Sequence, residues 1–428
     1  ANPAPETPAT GNTGVDVLVN GKAESAGTMT TGTRNGQTVT TVTLDENRLE
    51  ERLAEEGRGT VVTIPVNTGT EVVVGELNGQ MVKSMEASEA VVEIRTDRAS
   101  YTLPARQINI DALSGQIGAE VELRDIKVQI EIAEPAADTV RVVESAAADG
   151  SFELVVPPLE FTVRAVHENT VIEVAKFTAY VERMVAIPDG ADPEKITTAV
   201  VVEPDGTVRH VPTKVELIDG RYYARVNSLT NSTYTVIWHP VAFADMADHW
   251  AKDAVNDMGS RMVIEGVGGG RFEPGREVTR AEFAAILVRA LGLKLEEGAA
   301  PFTDVRESDW HNGAVLTAHA YGLIAGYGDG AFRPDERITR EQAMTMLARA
   351  MALTNLKASL PGGSADEALR PYADAAETSG WALAGIADSV QAGIVTGRGG
   401  EALAPKAFIT RAEAAVMVER LLRRSGLI

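Results

Sequence analysis

Thr279-Arg280-Ala281-Glu282, Thr339-Arg340-Glu341-Gln342 and Thr410-Arg411-Ala412-Glu413 are three copies of one phrase. Each opens an amphipathic run, follows a Gly-rich loop and has a tryptophan upstream: Trp250, Trp310 and Trp381. The Trp-to-Arg separation is 30 residues in every copy (250 to 280, 310 to 340, 381 to 411), while the arginines lie 60 and then 71 residues apart. A repeat on this scale means one supersecondary unit used several times. A Thr with Glu or Gln three residues later, just before an apolar-periodic run, is a capping box: each side chain satisfies a backbone N–H of the other residue. In the first copy Phe283, Ile286, Leu287, Ala290 and Leu291 fall on one helix face. Ala343, Met346, Leu347, Ala350 and Met351 do so in the second, and Ala414, Met417, Val418, Leu421 and Leu422 in the third.

Folding accounts for the Thr and the Glu, but not for the Arg. It stands at the first helical position, where the macrodipole disfavours a cation by up to about 1 kcal/mol. An Arg fork beside free helix N–H groups suits a carboxylate or phosphate. The structural alternative is a salt bridge to an Asp of a neighbouring copy. Arg289, Arg349 and Arg420 also repeat. They sit near the C-terminal helix end, where a cation is favoured, and need no functional reading.

The loop before the second phrase reads Gly326-Tyr327-Gly328-Asp329-Gly330-Ala331-Phe332-Arg333-Pro334. Its glycines permit positive φ and close backbone approach. The first copy matches it with Gly266, Gly268, Gly270, Phe272 and Pro274. The third keeps Gly397, Gly399, Gly400 and Pro405, but has Leu403 for the Phe and no Asp in the loop. The alternating acidic ligands of an EF-hand are absent. Upstream stand Phe243-x-Asp245, Phe302-x-Asp304 and Tyr372-x-Asp374, each followed by a short helix expected to contain the Trp. Such a Trp can be half core and half groove wall, offering a flat face to a sugar ring.

The series aromatic-x-Asp, Trp, Gly-rich loop and Thr-Arg-Ala-Glu resembles the S-layer homology domain, in three copies over roughly residues 243–424. The resemblance implies a helical three-repeat bundle with pseudo-threefold symmetry. It also implies binding, in grooves between repeats, to a secondary cell-wall polysaccharide of Gram-positive bacteria, commonly through a terminal sugar with a pyruvate ketal and hence a carboxylate. Carried over residue by residue, the groove set is Arg280, Arg340, Arg411, Trp250, Trp310, Trp381, Gly266, Gly326 and Gly397.

The rest of the chain reads differently. Residues 1–14, with Pro3, Pro5 and Pro8, form an extended Pro/Thr-rich linker. Either a signal peptide ends just before it or the chain is the C-terminal part of a longer one; the composition favours the second. Residues 15–240 are mostly strand, with Asn20-Gly21 as a hairpin turn. One helix is expected at about 45–56, capped by Asp45. Period-two stretches at Val121–Arg124 and Ile126–Ile132 predict a half-solvated antiparallel sheet. The expected organisation is a β-rich α+β module (15–118), a β-sandwich-like module (119–240) and three all-α repeats at 241–296, 297–356 and 357–428. Lys357–Arg370 is expected to be a surface loop.

Sixty-one acidic against 40 basic residues give a net charge of −21, which argues against nucleic acid as a partner. No apolar run is long enough to span a bilayer. There is no Cys, and His167, His210 and His239 stand alone, so neither a metal nor another cofactor is indicated. His249 and His311 flank a Trp and could touch a sugar. No Gly-x-Ser-x-Gly elbow is present. The sequence therefore points to a non-catalytic, secreted cell-wall anchor, with the β modules as stalk or as contacts in a self-associating surface layer. The alternative is the anchor region of a larger extracellular enzyme acting on polysaccharide, its catalytic domain lying upstream.

Overall fold

The computed structural model describes residues 13–118 and 120–428, so the linker expected at 1–14 lies almost wholly outside the described residues. Two compact units are present, one holding residues up to 208 with 215–237, the other 209–214 with 238–428.

The strands are β1 Thr13–Val19, β2 Lys22–Arg34, β3 Gln37–Leu44, β4 Val61–Pro65, β5 Val72–Asn78, β6 Val91–Arg95, β7 Ala99–Pro104, β8 Lys127–Ala133 and β9 Glu153–Leu154. They continue with β10 Leu159–His167, β11 Thr170–Glu173, β12 Lys176–Ala186, β13 Thr198–Val202, β14 Val208–Val211, β15 Thr213–Ile218, β16 Arg221–Thr230 and β17 Ser232–Trp238. The helices are α1 Glu46–Glu56, α2 Gly79–Ala87, α3 Ile110–Ile117, α4 Ala137–Gly150, α5 Lys252–Ser260, α6 Arg280–Ala290, α7 Asn312–Ala320, α8 Arg340–Leu353, α9 Ala365–Leu369, α10 Leu383–Gln391 and α11 Arg411–Arg424.

The first unit is β-rich. Asn20 (φ 49°) and Gly21 (φ 80°) make the turn between β1 and β2, the two positive φ values that a tight hairpin requires. From β2, pairing runs one way through β1, β4, β6, β7 and β12 to β16. It runs the other way through β3, β5, β8, β10 and β17 to β13. Strands on either side of residue 118 thus pair directly, β5 with β8 and β7 with β12. A sheet of this length curls. Its two arms meet inside, where Tyr101 of β7 packs edge-on against Phe161 of β10 at 5.3 Å, and Phe161 against Tyr234 of β17 at 5.7 Å. Arg183 of β12, fully buried, fills the box these rings leave.

Several local expectations need correction. β8, in the alternating stretch at 126–132, pairs antiparallel with both β5 and β10 as expected, while β3–β5 and β4–β6 pair in parallel, because α1 and α2 lie in the connections and supply the long crossovers that parallel pairing needs. The helix at 45–56 is present as α1, with Asp45 accepting from the Arg48 N–H and Leu49 and Leu53 buried. Three further helices, α2, α3 and α4, join it in this unit. α2 has a start signal that the sequence reading passed over, Asn78, whose Oδ1 accepts from the Met81 N–H at 2.8 Å, whereas α3 and α4 begin after Asn109 and Ala136 with no side-chain cap hydrogen bond. Leu123–Asp125 is a 3-10 turn, not a strand. Glu131 on β8 is buried between Arg34 and Arg164, not solvated.

The second unit holds the helices of the repeat region. α6, α8 and α11 each begin at the phrase Arg, and all three capping boxes are complete. The apolar faces named from the sequence are buried in all three helices, each large side chain contributing about 1.5–3 kcal/mol. α5, α7 and α10 start two residues after Trp250, Trp310 and Trp381, so each Trp precedes its helix and does not belong to it. The stretch expected as a loop at 357–370 contains α9, which has its own capping box of Ser364 and Glu367. Single β-bridges join Thr279 to Arg337, Thr339 to Phe408 and Glu277 to Thr410, tying the segment before each phrase to the segment before another.

Candidate functional site

Each aromatic-x-Asp element holds its own loop. Asp304 accepts from the backbone N–H of Phe332 at 2.8 Å and of Arg333 at 2.7 Å. Asp245 does the same for Phe272 and Glu273, and Asp374 for Leu403 and Ala404. The second residue of each pair has positive φ without being Gly: Glu273 58°, Arg333 59° and Ala404 48°. That conformation costs an L-residue about 1–2 kcal/mol, and the carboxylate forks hold it. The loop glycines answer a different need. A Cβ on Gly326 would lie 2.6 Å from the Phe302 ring and 2.9 Å from the Ala331 carbonyl oxygen. Gly266 and Gly397 are crowded in the same way by Phe243 and Tyr372. Close approach, not positive φ, requires glycine there.

The phrase arginine reaches the next copy's loop. Arg280 Nε donates to the Phe332 carbonyl at 2.9 Å, Arg340 Nε to Leu403 at 2.7 Å and Arg411 Nε to Phe272 at 2.8 Å. One loop residue therefore gives its N–H to its own Asp and its C=O to the preceding copy's Arg. The same loops supply carbonyls to the first turn of the helix. The N–H groups of Arg280 and Ala281 donate to Glu336 and Pro334, those of Arg340 and Glu341 to Ala407 and Pro405, and those of Arg411 and Ala412 to Arg276 and Pro274. The helix N–H groups expected to be free are thus taken, and only the guanidinium remains for an anion. The surrounding carbonyls also explain why a cation is tolerated at this end of the helix. An ion pair to the neighbouring Asp is not formed. Among the described residues Arg280 and Arg411 have no ion pair, while Arg340, 2 % exposed, pairs with Glu413 at 3.1 Å.

Three grooves result. The first, about 210 Å³, has Arg411, Gly266 and Trp310 in its lining. The second, about 380 Å³, has Arg280, Gly326 and Trp381. The third, about 400 Å³, has Arg340, Gly397 and Trp250. Each draws its Arg, its loop and its Trp from three different copies. The tryptophans are 68 %, 68 % and 60 % exposed for 250, 310 and 381, which excludes a core role. The sequence reading missed the second arginine of each groove: Arg289, Arg349 and Arg420 line the first, second and third respectively. The helix dipole had seemed a sufficient reason for them. The signal was their fixed offset of nine residues from the phrase Arg. His311 is buried edge-on against Trp310 and offers nothing to a sugar; His249 is half-buried, its Nδ1 accepting from the Ala251 N–H.

Two grooves hold a capping-box carboxylate. Burial pushes Glu413 up, but hydrogen bonds from Arg398 and the Thr410 N–H, with the charge of Arg340, outweigh it and hold the group below the usual range. Glu282 is likewise lowered on balance, by the Thr279 N–H and Arg276 against burial. A depressed folded pKa stabilises the fold above the unfolded value, near 4.3, and that contribution is lost as pH falls through the folded value. Glu413→Gln is therefore expected to flatten the loss of stability below about pH 4.5, measured by urea denaturation at stepped pH. An unchanged acid limb would contradict it.

The S-layer homology domain model matches residues 242–284, 301–344 and 371–415, spanning in each copy the Asp, the Trp, the loop and the phrase. The chain carries three S-layer homology (SLH) domains. Proteins similar to this SLH-bearing chain include polysaccharide-acting enzymes and S-layer proteins. An amylopullulanase of Thermoanaerobacterium thermosulfurigenes is 28 % identical over 397 residues, covering 92 % of this chain and 19 % of that protein. Exoglucanase XynX of Acetivibrio thermocellus is 35 % identical over 199 residues, 46 % of this chain and 18 % of its own. The S-layer protein sap of Bacillus anthracis is 29 % identical over 180 residues, 42 % and 21 % respectively. The chain thus spans about a fifth of each of these relatives. Among the described residues no group of His, Asp or Glu could hold a metal ion, and no helix is long and apolar enough to cross a membrane.

Proposed function

We propose that residues 241–428 anchor the protein to a cell wall by binding a secondary wall polysaccharide, probed through a terminal sugar that carries a pyruvate carboxylate. The observation that carries this is the convergence, in each groove, of a phrase Arg, a Gly-rich loop and an exposed Trp from three different SLH copies. A guanidinium suits a carboxylate, and an exposed indole face suits a sugar ring. In this reading the repeats 241–296, 297–356 and 357–428 form a helical bundle with pseudo-threefold symmetry; the Arg-to-next-loop bonds and the three β-bridges support it. The anchoring region is non-catalytic, and the setting is the surface of a Gram-positive bacterium. The β-rich segments 15–118 and 119–240 act as stalk or as contacts in a surface lattice, working together because their strands pair.

A second reading concerns the cargo. The match to the amylopullulanase is too long to be confined to the SLH domains and so extends into the β-rich region. That favours a chain whose β and SLH parts together tether an extracellular polysaccharide-acting enzyme. The test of anchoring is co-sedimentation of the whole chain with purified walls before and after extraction of the secondary polymer. Binding that disappears with the polymer is expected; binding to the bare peptidoglycan would contradict the proposal.

A further inference from the structure

The three grooves differ in what already occupies their arginines. In the first, Arg289 pairs with the Glu265 carboxylate at 3.1 Å, Arg276 with Glu282 at 2.6 Å, and Arg411 donates to the Glu265 carbonyl. In the third, Arg340 and Arg398 both pair with Glu413, at 3.1 and 2.8 Å. The second groove has no carboxylate in its lining. Among the described residues Arg349 has no ion pair or hydrogen bond, and Arg280 uses only its Nε, leaving both terminal nitrogens without a protein acceptor.

Two residues set this difference: Ala325 stands where the first copy has Glu265, and Gln342 stands where the others have Glu. The third position of the capping box is Glu282 and Glu413 in two copies but Gln342 in the other. The atom of Gln342 that faces the Thr339 backbone N–H, at 3.0 Å, must be Oε1, because an N–H can only donate. Its Nε2 therefore points at the Tyr327 hydroxyl, 3.0 Å away, and donates to it. The hydroxyl oxygen accepts, so its own hydrogen is left to donate elsewhere. A Glu at 342 would take that hydrogen and add a negative charge. Tyr327 is itself particular to this copy: the corresponding loop residues are Val267 and Arg398.

We propose that the second groove is the carboxylate-binding site of the three, and that Gln342, together with Ala325 in the place of Glu265, determines this by leaving Arg280, Arg349 and the Tyr327 hydroxyl free to donate to the ligand. The inference rests on the reading of the grooves as sites for an acidic sugar. The ligand class is a carboxylate-bearing hexose whose ring lies on Trp381 while its carboxylate takes the two guanidinium groups.

The test is calorimetric titration of the whole chain with the methyl glycoside of a pyruvate-ketal hexose, using its methyl ester as the uncharged control. The wild type is expected to bind the acid at one dominant site and the ester at least tenfold more weakly, as befits charge-assisted bonds. Gln342→Glu keeps the capping box, as Glu282 and Glu413 do, so its melting temperature should be unchanged while affinity for the acid falls about tenfold. Tyr327→Phe, which removes only the hydroxyl, should weaken the acid several-fold. Unchanged affinity in both variants, or three equivalent sites in the wild type, would overturn the inference while leaving anchoring by an acidic sugar intact. A wild type that does not distinguish acid from ester would overturn the underlying reading as well.

Discussion

Asp304→Ala is expected to destabilise the SLH region by about 3 kcal/mol and to weaken wall-polymer binding together with stability. The carboxylate accepts two backbone N–H groups at 2.8 and 2.7 Å, and a hydrogen bond to a charged group is worth about 1.5–3 kcal/mol. Two bonds on one group are not additive, which sets the figure near the lower sum. Without them nothing compensates the positive φ of Arg333. The Phe332 carbonyl, which holds Arg280 Nε, would shift with the loop. Asp304→Asn keeps an oxygen for one of the two N–H groups and should lose about half as much. Urea denaturation followed by helix circular dichroism measures both; a loss below about 1 kcal/mol for Asp304→Ala would mean that the loop holds its shape without the fork.

Arg183→Ala should cost the β-rich unit about 4 kcal/mol, from a cavity and stranded acceptors together. The guanidinium is fully buried, with its centre 4.7 Å from the Tyr234 ring and 4.8 Å from the Tyr101 ring. It donates to the carbonyls of Thr230 at 2.8 Å and Val181 at 3.0 Å, and to Asn231 Oδ1 at 3.2 Å. Among the described residues it has no ion pair, and its Nε has no partner. An unpaired buried cation carries a desolvation cost, so Arg183→Met, which fills the volume without the charge, should be markedly less harmful than Ala. Guanidinium denaturation of both variants separates the two effects: a Met variant as unstable as the Ala variant would show that the hydrogen bonds, not the volume, hold the arms together.

The readable parts of the chain were those whose cause is local. A capping box spans four residues, and all three were present where the phrase stood. The Asn20-Gly21 turn and the Asp45 cap are equally local. What the sequence concealed was non-local. Arg280 meets a carbonyl 52 residues away, and a backbone acceptor leaves no residue type to read. The same holds for the helix N–H groups, whose partners are the carbonyls of Glu336 and Pro334. The Asp of each copy suggested an ion pair, yet it binds backbone. Arg349 was hidden for the opposite reason: a sufficient local explanation, the helix dipole, masked its place in a groove. In the β-rich unit α4 was missed because Ala136 gives no capping signal. The parallel pairs were missed because alternation along a strand says nothing about the direction of its neighbour.

The central claim is that the SLH grooves hold a carboxylate-bearing glycan. Its most direct test is titration of the whole chain with purified secondary wall polymer, intact and after mild acid removal of the pyruvate ketals. The account predicts that the treated polymer binds about a hundredfold more weakly, the loss of about two charge-assisted hydrogen bonds. Equal affinity for the two polymers would contradict it and confine the phrase arginines to pinning the loops.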